Sequence, residues 1–176
     1  KFYEVVMEEL SHIDSKGRAV MVEVGYKKES VREAVASSSL KMKTDTLKSI
    51  VNMKVPKGDV LGSARIASIL AAKKCSSLIP MCHPLRITSV EVFFRSDISD
   101  GELSYLRILC KVRAFDRTGV EMEALTSVSV AGLTVYDMCK SIDKGMVLGE
   151  ICLIKKTGGK SGDYISSTED ISSYNL

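Results

Sequence analysis

The order of strand and helix patterns is the feature that most constrains the fold of this chain. Four segments have the alternation of strands, at residues 30–43, 87–95, 103–115 and 146–154, and two longer ones have helical patterns, at residues 59–74 and 121–140. In chain order they give β-α-β-β-α-β, which is typical of a ferredoxin-like α+β sandwich. We therefore predict this fold, which by itself indicates no particular chemistry.

The first of these strands has a competing helical interpretation. Ser30 followed by Glu33 resembles a capping box, which favours a helix. However, every second residue from Ala34 to Met42 falls on one face at a period of two, and three consecutive serines weaken a helix. We predict a strand.

Smaller elements flank this core. Val20, Val22 and Val24 alternate within residues 19–24, which predicts an additional N-terminal strand. Residues 45–52 predict a short helix, and we expect a Gly/Lys loop over residues 155–162.

The length and composition suit one folded unit. A chain of 176 residues with 45% hydrophobic and 27% charged residues can bury a single core. We predict a single domain over residues 1–164, followed by a polar, mobile tail over residues 165–176.

The net charge limits the class of ligand. A formal charge of +3 argues against a broad nucleic-acid surface but leaves room for a local lysine cluster that binds a phosphorylated small molecule. The strands also lack the alternating aromatic residues on which RNA bases stack, because Phe93 and Phe94 are adjacent.

The number and spacing of the cysteines indicate the kind of cellular compartment to expect. Five of them are scattered along the chain, which favours reduced thiols over a disulfide framework. No apolar run approaches the roughly 20 residues that span a bilayer. We expect a cytoplasmic protein, with a mitochondrial location as the alternative if a leader preceded Lys1.

Three short stretches place ionisable side chains in apolar sequence, at residues 80–85, 119–124 and 136–140. Such a mixture indicates a lined pocket, in which desolvation makes acids and bases effective. His83 lies between Cys82 and Pro84, where it could either cap a backbone carbonyl or face a ligand. A zinc site has little support, because no second Cys/His pair has the spacing of metal ligands.

The remaining candidates each have a plain structural alternative. Glu121 and Glu123 could simply complement a helix dipole. Asp137 and Lys140 are three positions apart and share a helix face, as a surface ion pair would. Lys57 precedes a predicted helix and could be a solvated loop charge or a proton donor in a pocket.

Spacing constrains how these groups could act together. Glu123 and Asp137 are 14 positions apart on one predicted helix, about 20 Å at roughly 1.5 Å per residue. One small ligand cannot easily touch both in the same copy of the chain. Either the ligand is long or two subunits of a symmetric oligomer bring opposite helix ends together.

Several motifs in a fixed order resemble those of the cyclic pyranopterin monophosphate synthase family. They are Lys57-Gly58-Asp59, Ile79-Pro80-Met81-Cys82-His83-Pro84-Leu85, Gly119-Val120-Glu121-Met122-Glu123-Ala124-Leu125-Thr126 and Tyr136-Asp137-Met138-Cys139-Lys140. The resemblance implies a homohexamer, a trimer of dimers with active sites between subunits. It implies a lyase of molybdenum cofactor biosynthesis, which converts 3′,8-cyclo-7,8-dihydroguanosine triphosphate, a GTP-derived cyclic precursor, to the pyranopterin with release of diphosphate.

The resemblance also implies residue roles. Lys57 and Lys140 match the acid/base pair, with Asp137 as their catalytic partner, and Arg32 and Lys156 match positions that serve the triphosphate. The remaining matches are substrate contacts: Met81, Cys82, His83, Glu121, Met122 and Glu123. No metal site or resident cofactor is implied, although Mg²⁺ can accompany the phosphates.

A different class of function is compatible with the same fold. Ferredoxin-like domains also serve as non-catalytic modules that bind small molecules between subunits. Such a module would bind without turnover, and it would not need Lys57, Asp137 and Lys140 together.

Overall fold

A five-stranded antiparallel sheet forms the frame of the fold in the computed structural model, which describes residues 16–159 and 162–167. The strands are β1 (Ser30–Lys43), β2 (Ile87–Asp97), β3 (Leu103–Asp116), β4 (Val147–Thr157) and β5 (Tyr164–Ile165). The helices are α1 (Thr44–Val51), α2 (Val60–Lys73), α3 (Cys75–Leu78) and α4 (Glu121–Cys139).

The sheet has the strand order β2-β3-β1-β4-β5, and every pair of neighbours is antiparallel. The four long strands and the helices α2 and α4 follow one another as β-α-β-β-α-β along the chain. The predicted ferredoxin-like α+β fold is therefore confirmed, with β1 and β3 at the centre of the sheet.

Strand β1 settles the choice between helix and strand for residues 30–43. It pairs with β3 along its whole length, from Ser30 opposite Asp116 to Lys43 opposite Leu103, and also pairs with β4 on its other side. Hydrogen bonds to two neighbouring strands outweigh the weak local preference that a capping box supplies.

The main hydrophobic core lies between the sheet and helices α2 and α4. From β1 it takes Ala34, Ala36, Leu40 and Met42, the face that the period of two predicted. Helix α4 contributes buried small and β-branched residues at helical spacing, which are Ala124, Val128, Ala131 and Val135. Small side chains let α4 lie close to the strands beneath it.

Two side chains fix the ends of the helices. The Asp59 side chain accepts a hydrogen bond from the Gly62 backbone N–H at 2.8 Å and so caps the start of α2. The buried Asp143 anchors the turn after α4 to the junction of β1 and α1, because it accepts hydrogen bonds from the Lys43 N–H and the Thr46 hydroxyl.

The additional strand lies at the other end of the sequence from the predicted one. Within the described residues 16–29, Ala19 makes only an isolated bridge and residues 20–24 have no regular structure. Val22 and Val24 line a cavity instead of pairing at a sheet edge. Alternating valines favour a strand only where an edge offers backbone partners, and β5 takes the edge beside β4.

The predicted loop over residues 155–162 is partly wrong, because β4 continues to Thr157. Lys155 and Lys156 are held on one side by β1 and on the other by β5. Ile165 belongs to β5. Residues 160–161 of the predicted loop and residues 168–176 of the predicted tail lie outside the described residues. In the described part of the chain, no helix has the length and apolarity needed to cross a membrane.

Close packing of α4 on β4 yields the first prediction. A Cβ atom on Gly132 would lie 2.4 Å from Cδ1 of Leu148. We expect Gly132→Val to lower the free energy of unfolding by about 1–3 kcal/mol, because it overpacks this contact. Leu133→Val is the control, since Leu133 is 58% exposed and the same residue type is introduced in the same helix. Urea unfolding measures both, and equal effects would contradict the packing argument.

Candidate active site

Lys57, Asp137 and Lys140 meet at the C-terminal end of α4. The Lys57 Nζ lies 3.0 Å from Oδ2 of Asp137, and the Lys140 Nζ lies 2.7 Å from Oδ1 of the same carboxylate. The three residues that the sequence singled out for proton transfer therefore form one cluster, in which one carboxylate holds two ammonium groups.

Local structure places Lys57 at this helix end. The turn before α2 is closed by a hydrogen bond from the Gly58 N–H to the Val55 carbonyl, with Gly58 at a φ of +89°. From this turn the Lys57 ammonium also donates to the backbone carbonyl of Asp137 at 2.8 Å. That carbonyl is in the last turn of α4, where the helix supplies no partner of its own.

Attraction between opposite charges holds this cluster together, although all three side chains are exposed to solvent. The side chains of Lys57, Asp137 and Lys140 are 45%, 59% and 53% exposed. Hydrogen bonding from Lys140, and then from Lys57, lowers the pKa of Asp137, and the Asp137 carboxylate raises the pKa of Lys140. In the single chain, Lys140 is therefore a stabilised proton donor rather than the destabilised ammonium expected of a desolvated pocket.

A second cluster lies at the N-terminal end of α4. A cavity of about 330 Å³ is lined by the predicted substrate contacts Met81, Cys82, His83, Glu121, Met122 and Glu123. The loop between Pro80 and Pro84 supplies the first three, and the first turn of α4 supplies the others. The fold thus brings together two of the three polar stretches that stood out in the sequence.

Glu123 is the buried acid of this cavity, with only 3% of its surface exposed. Desolvation by burial is the main cause that raises its pKa, and the Glu121 charge acts in the same direction. A neutral carboxylic acid can donate a hydrogen bond to a ligand, which a carboxylate cannot do. Glu123 therefore combines burial in the cavity wall with a shift toward the protonated form.

Cys75 supports this wall, although its place in the sequence gave no sign of it. Its buried thiol lies 3.6 Å from the Thr126 hydroxyl and hydrogen-bonds the Glu123 side chain. Burial raises the pKa of Cys75 to about 12 and also raises the pKa of Cys82. Both groups are thus neutral thiols at physiological pH and weak nucleophiles.

A larger, basic cavity adjoins the second cluster. Its volume is about 770 Å³, and its lining includes the predicted Arg32 and Lys156. It also includes three cations that the sequence analysis missed, which are Lys27, Lys28 and Arg117. Lys27, Thr118, Gly119 and Glu121 line both cavities, so the two form one groove.

Arg32 is the buried cation of the basic cavity, with 8% of its surface exposed. Its guanidinium donates to the backbone carbonyls of Asp116 and Arg117, each at 3.4 Å. Among the described residues, Arg32 forms no ion pair with a carboxylate. A buried charge without a counter-charge is costly, so this position suits an anionic ligand.

The Gly158-Gly159 pair fits the chain around that guanidinium. Both residues have a positive φ, of +88° and +96°, which favours glycine. A Cβ atom on Gly159 would lie 2.1 Å from Nη1 of Arg32. The glycines predicted as part of a loop thus allow the backbone to approach the buried Arg32 cation. Lys156 beside them pairs with Glu121 at 3.2 Å.

The sequence gave only weak indications that the three missed cations belong to the groove. Tyr26-Lys27-Lys28 is a short basic run, but it follows a segment that was interpreted as a strand. Arg117 lies two positions before the second polar stretch, which begins at Gly119. Lys27, Lys28 and Arg117 belong to no motif of recognisable spacing, because the groove brings the segment 20–30 beside the end of β3 only in the folded protein.

In the described part of the chain, no group of three or more His, Cys, Asp and Glu side chains could hold a metal ion.

The two ends of α4 remain apart in one chain. Glu123 is in the first turn and Asp137 in the last, with 14 positions between them, which corresponds to about 20 Å along a helix. The single chain therefore assembles the lysine cluster and the groove but does not bring them together.

The raised pKa of Glu123 predicts how its replacement changes stability with pH. The folded state holds this proton more tightly than the unfolded chain, so stability is lost as pH rises from the ordinary value of 4.5 through the folded pKa. The variant Glu123→Gln has no carboxyl group at this position, so its stability does not show this decrease as pH rises. We expect the stability of Glu123→Gln relative to the parent protein to be higher at about pH 8 than at about pH 4.

Urea unfolding of both proteins at the two pH values measures this effect. Because only the difference between two proteins is compared, the titration of the other groups cancels to a first approximation. An identical difference at both pH values would show that burial does not perturb Glu123.

Residues 21–159 match the MoaC family. The cyclic pyranopterin monophosphate synthase of Desulfatibacillum aliphaticivorans is 54% identical over 160 residues, 91% of this chain and 99% of that protein. The synthase of the same name from Bacillus subtilis (strain 168) is 48% identical over 170 residues, 97% of this chain and 98% of that protein. The length and level of this identity show that the chain belongs to the MoaC family.

Proposed function

We propose that this protein is the lyase that converts the GTP-derived cyclic triphosphate precursor to cyclic pyranopterin monophosphate, with release of diphosphate. The names of the similar synthases support the reaction. The single observation that carries it in this chain is the Asp137 carboxylate held between the Lys57 and Lys140 ammonium groups. Opening the guanine-derived ring and closing a pyran requires repeated proton transfers, which such a cluster can supply.

The groove suits the two chemically different parts of this substrate. The small cavity offers the buried Glu123, whose raised pKa favours the protonated form, together with His83 and the Cys82 thiol, which suits the polar edge of a guanine-derived ring. The adjoining basic cavity offers Arg32 and Lys156, which suit the triphosphate. Its cations would also offset the charge that develops on the leaving diphosphate.

Separate clusters at the two ends of α4 support a shared active site. In the proposed assembly the lysine cluster of one subunit faces the groove of another, within a homohexamer built as a trimer of dimers. Contact with a neighbouring subunit would also remove water from Lys57 and Lys140. Desolvation disfavours a charged amine, and so it would bring these lysines closer to working as bases.

The proposal requires no resident cofactor. Mg²⁺, where it takes part, would arrive with the triphosphate and would be bound by the phosphate oxygens, since this cation favours oxygen ligands. We propose a cytoplasmic location, supported by five free thiols, with a mitochondrial location as the alternative.

Removal of either lysine tests the catalytic cluster. We expect Lys57→Ala and Lys140→Ala each to slow diphosphate release from the cyclic precursor by at least about 100-fold, because each removes a proton-transfer group. Lys54→Ala is the matched control, since it removes an exposed lysine from the same segment. Circular dichroism and size-exclusion chromatography verify that fold and assembly persist. Near-normal rates in either variant would contradict the assignment, and substrate binding without turnover in the parent protein would favour a non-catalytic module.

Mixing inactive variants tests the shared site. Lys140→Ala and Glu123→Ala alter opposite ends of α4. If a site takes these residues from different subunits, random exchange in an equal mixture restores about a quarter of the sites. We therefore expect diphosphate release to recover to about a quarter of the parent rate. Subunit exchange is followed with a mass tag, and no recovery after confirmed exchange would contradict sites between subunits.

A further inference from the structure

Lys27 lies where the two cavities of the groove meet. It lines both of them, whereas its neighbour Lys28 lines only the basic cavity. A turn holds it there, because the Lys27 N–H donates to the Val24 carbonyl at 3.0 Å. Its ammonium lies 6.0 Å from the centre of the Tyr26 ring. The side chain is half-buried between the parts of the groove that we assign to ring and phosphates.

The charges around Lys27 favour an anion at this junction. Among the described residues, five cationic side chains and one acidic side chain, Glu121, line the basic cavity. Glu121 already pairs with Lys156 at 3.2 Å, and the closest carboxylate contact of Arg117 is Glu29 at 3.8 Å. Within the described residues, Lys27 makes no ion pair. Its charge is therefore available to a ligand.

We propose that Lys27 is a further substrate-binding residue, which contacts the phosphate group attached directly to the nucleoside part of the substrate. This inference rests on the proposed function. A molecule that places its ring beside Glu123 and its outer phosphates beside Arg32 must place the first phosphate at the boundary, where Lys27 lies. Lys28 lies only on the side of the outer phosphates.

The first phosphate is also the reacting one. A sugar hydroxyl attacks its phosphorus, and the bond from that phosphorus to the bridging oxygen breaks. The electron pair leaves with the diphosphate, and the hydroxyl proton passes to a base. Charge grows on the bridging oxygen in the transition state, so an ammonium group beside it stabilises that state as well as the bound substrate.

GTP is the probe that tests this inference without turnover, because it joins a guanine nucleoside to a triphosphate. Calorimetry would compare Lys27→Gln with Lys28→Gln, since each removes one positive charge from adjacent positions. We expect Lys27→Gln to weaken GTP binding about tenfold, the loss of one ionic hydrogen bond. Lys28→Gln should weaken it by less than about threefold, because the Lys28 side chain is exposed and its charge is screened by water and salt. Lys27→Arg should restore most of the affinity, because it keeps the charge.

The outcomes separate this inference from the proposed function. Equal losses in Lys27→Gln and Lys28→Gln would overturn it, because they would reflect general electrostatics, and so would unchanged GTP binding in Lys27→Gln. If GTP binding depends on Lys27 but the parent protein releases no diphosphate from the cyclic precursor, the proposed reaction fails and the Lys27 site stands. If the parent protein turns over and Lys27→Gln binds GTP normally, the reaction stands and the Lys27 site fails.

Discussion

The burial of helix α4 against the central strands is the constraint on which the candidate site depends. Its small residues let it lie on β1, β3 and β4, and Gly132 leaves room for the Leu148 side chain. A helix packed along its length cannot shift by a turn without losing this fit. Its first turn is therefore fixed beside the loop that carries His83, and its last turn beside the turn that carries Lys57. Packing thus sets the geometry of the chemistry at both ends.

The pKa of an acidic side chain is shifted in opposite directions at the two ends of this helix. Asp137 is exposed and lies between two ammonium groups, which lower its pKa. Glu123 is near the positive end of the helix dipole, which favours a carboxylate by about 0.3–1 kcal/mol, yet its pKa is raised. Desolvation therefore outweighs the dipole at this position. The interpretation of Glu121 and Glu123 as mere partners of the dipole does not account for Glu123, because burial shifts its pKa in the direction opposite to the dipole.

Much of the fold could be predicted because local patterns and tertiary pairing agree. The period of two in β1 and the apolar content of α4 each indicated the right element. The valines over residues 19–24 misled, because alternation says nothing about whether an edge strand is available. Family motifs located Lys57, Asp137 and Lys140, but only part of the groove's positive charge, Arg32 and Lys156, could be predicted. Lys27, Arg117 and Cys75 become neighbours of the predicted residues only when distant segments pack together.

The exposure of the lysine cluster gives the proposed assembly a chemical purpose. Exposed ion pairs contribute little, because water screens the attraction between Asp137 and its two lysines. Placed in a site of lower dielectric constant, the same three charges interact several times more strongly. Removal of water from the lysines opposes the rise in pKa that Asp137 causes at Lys140, so contact between subunits would tune a proton donor toward reversible transfer. In the proposed hexamer, assembly would therefore adjust the chemistry of residues that each chain has already positioned.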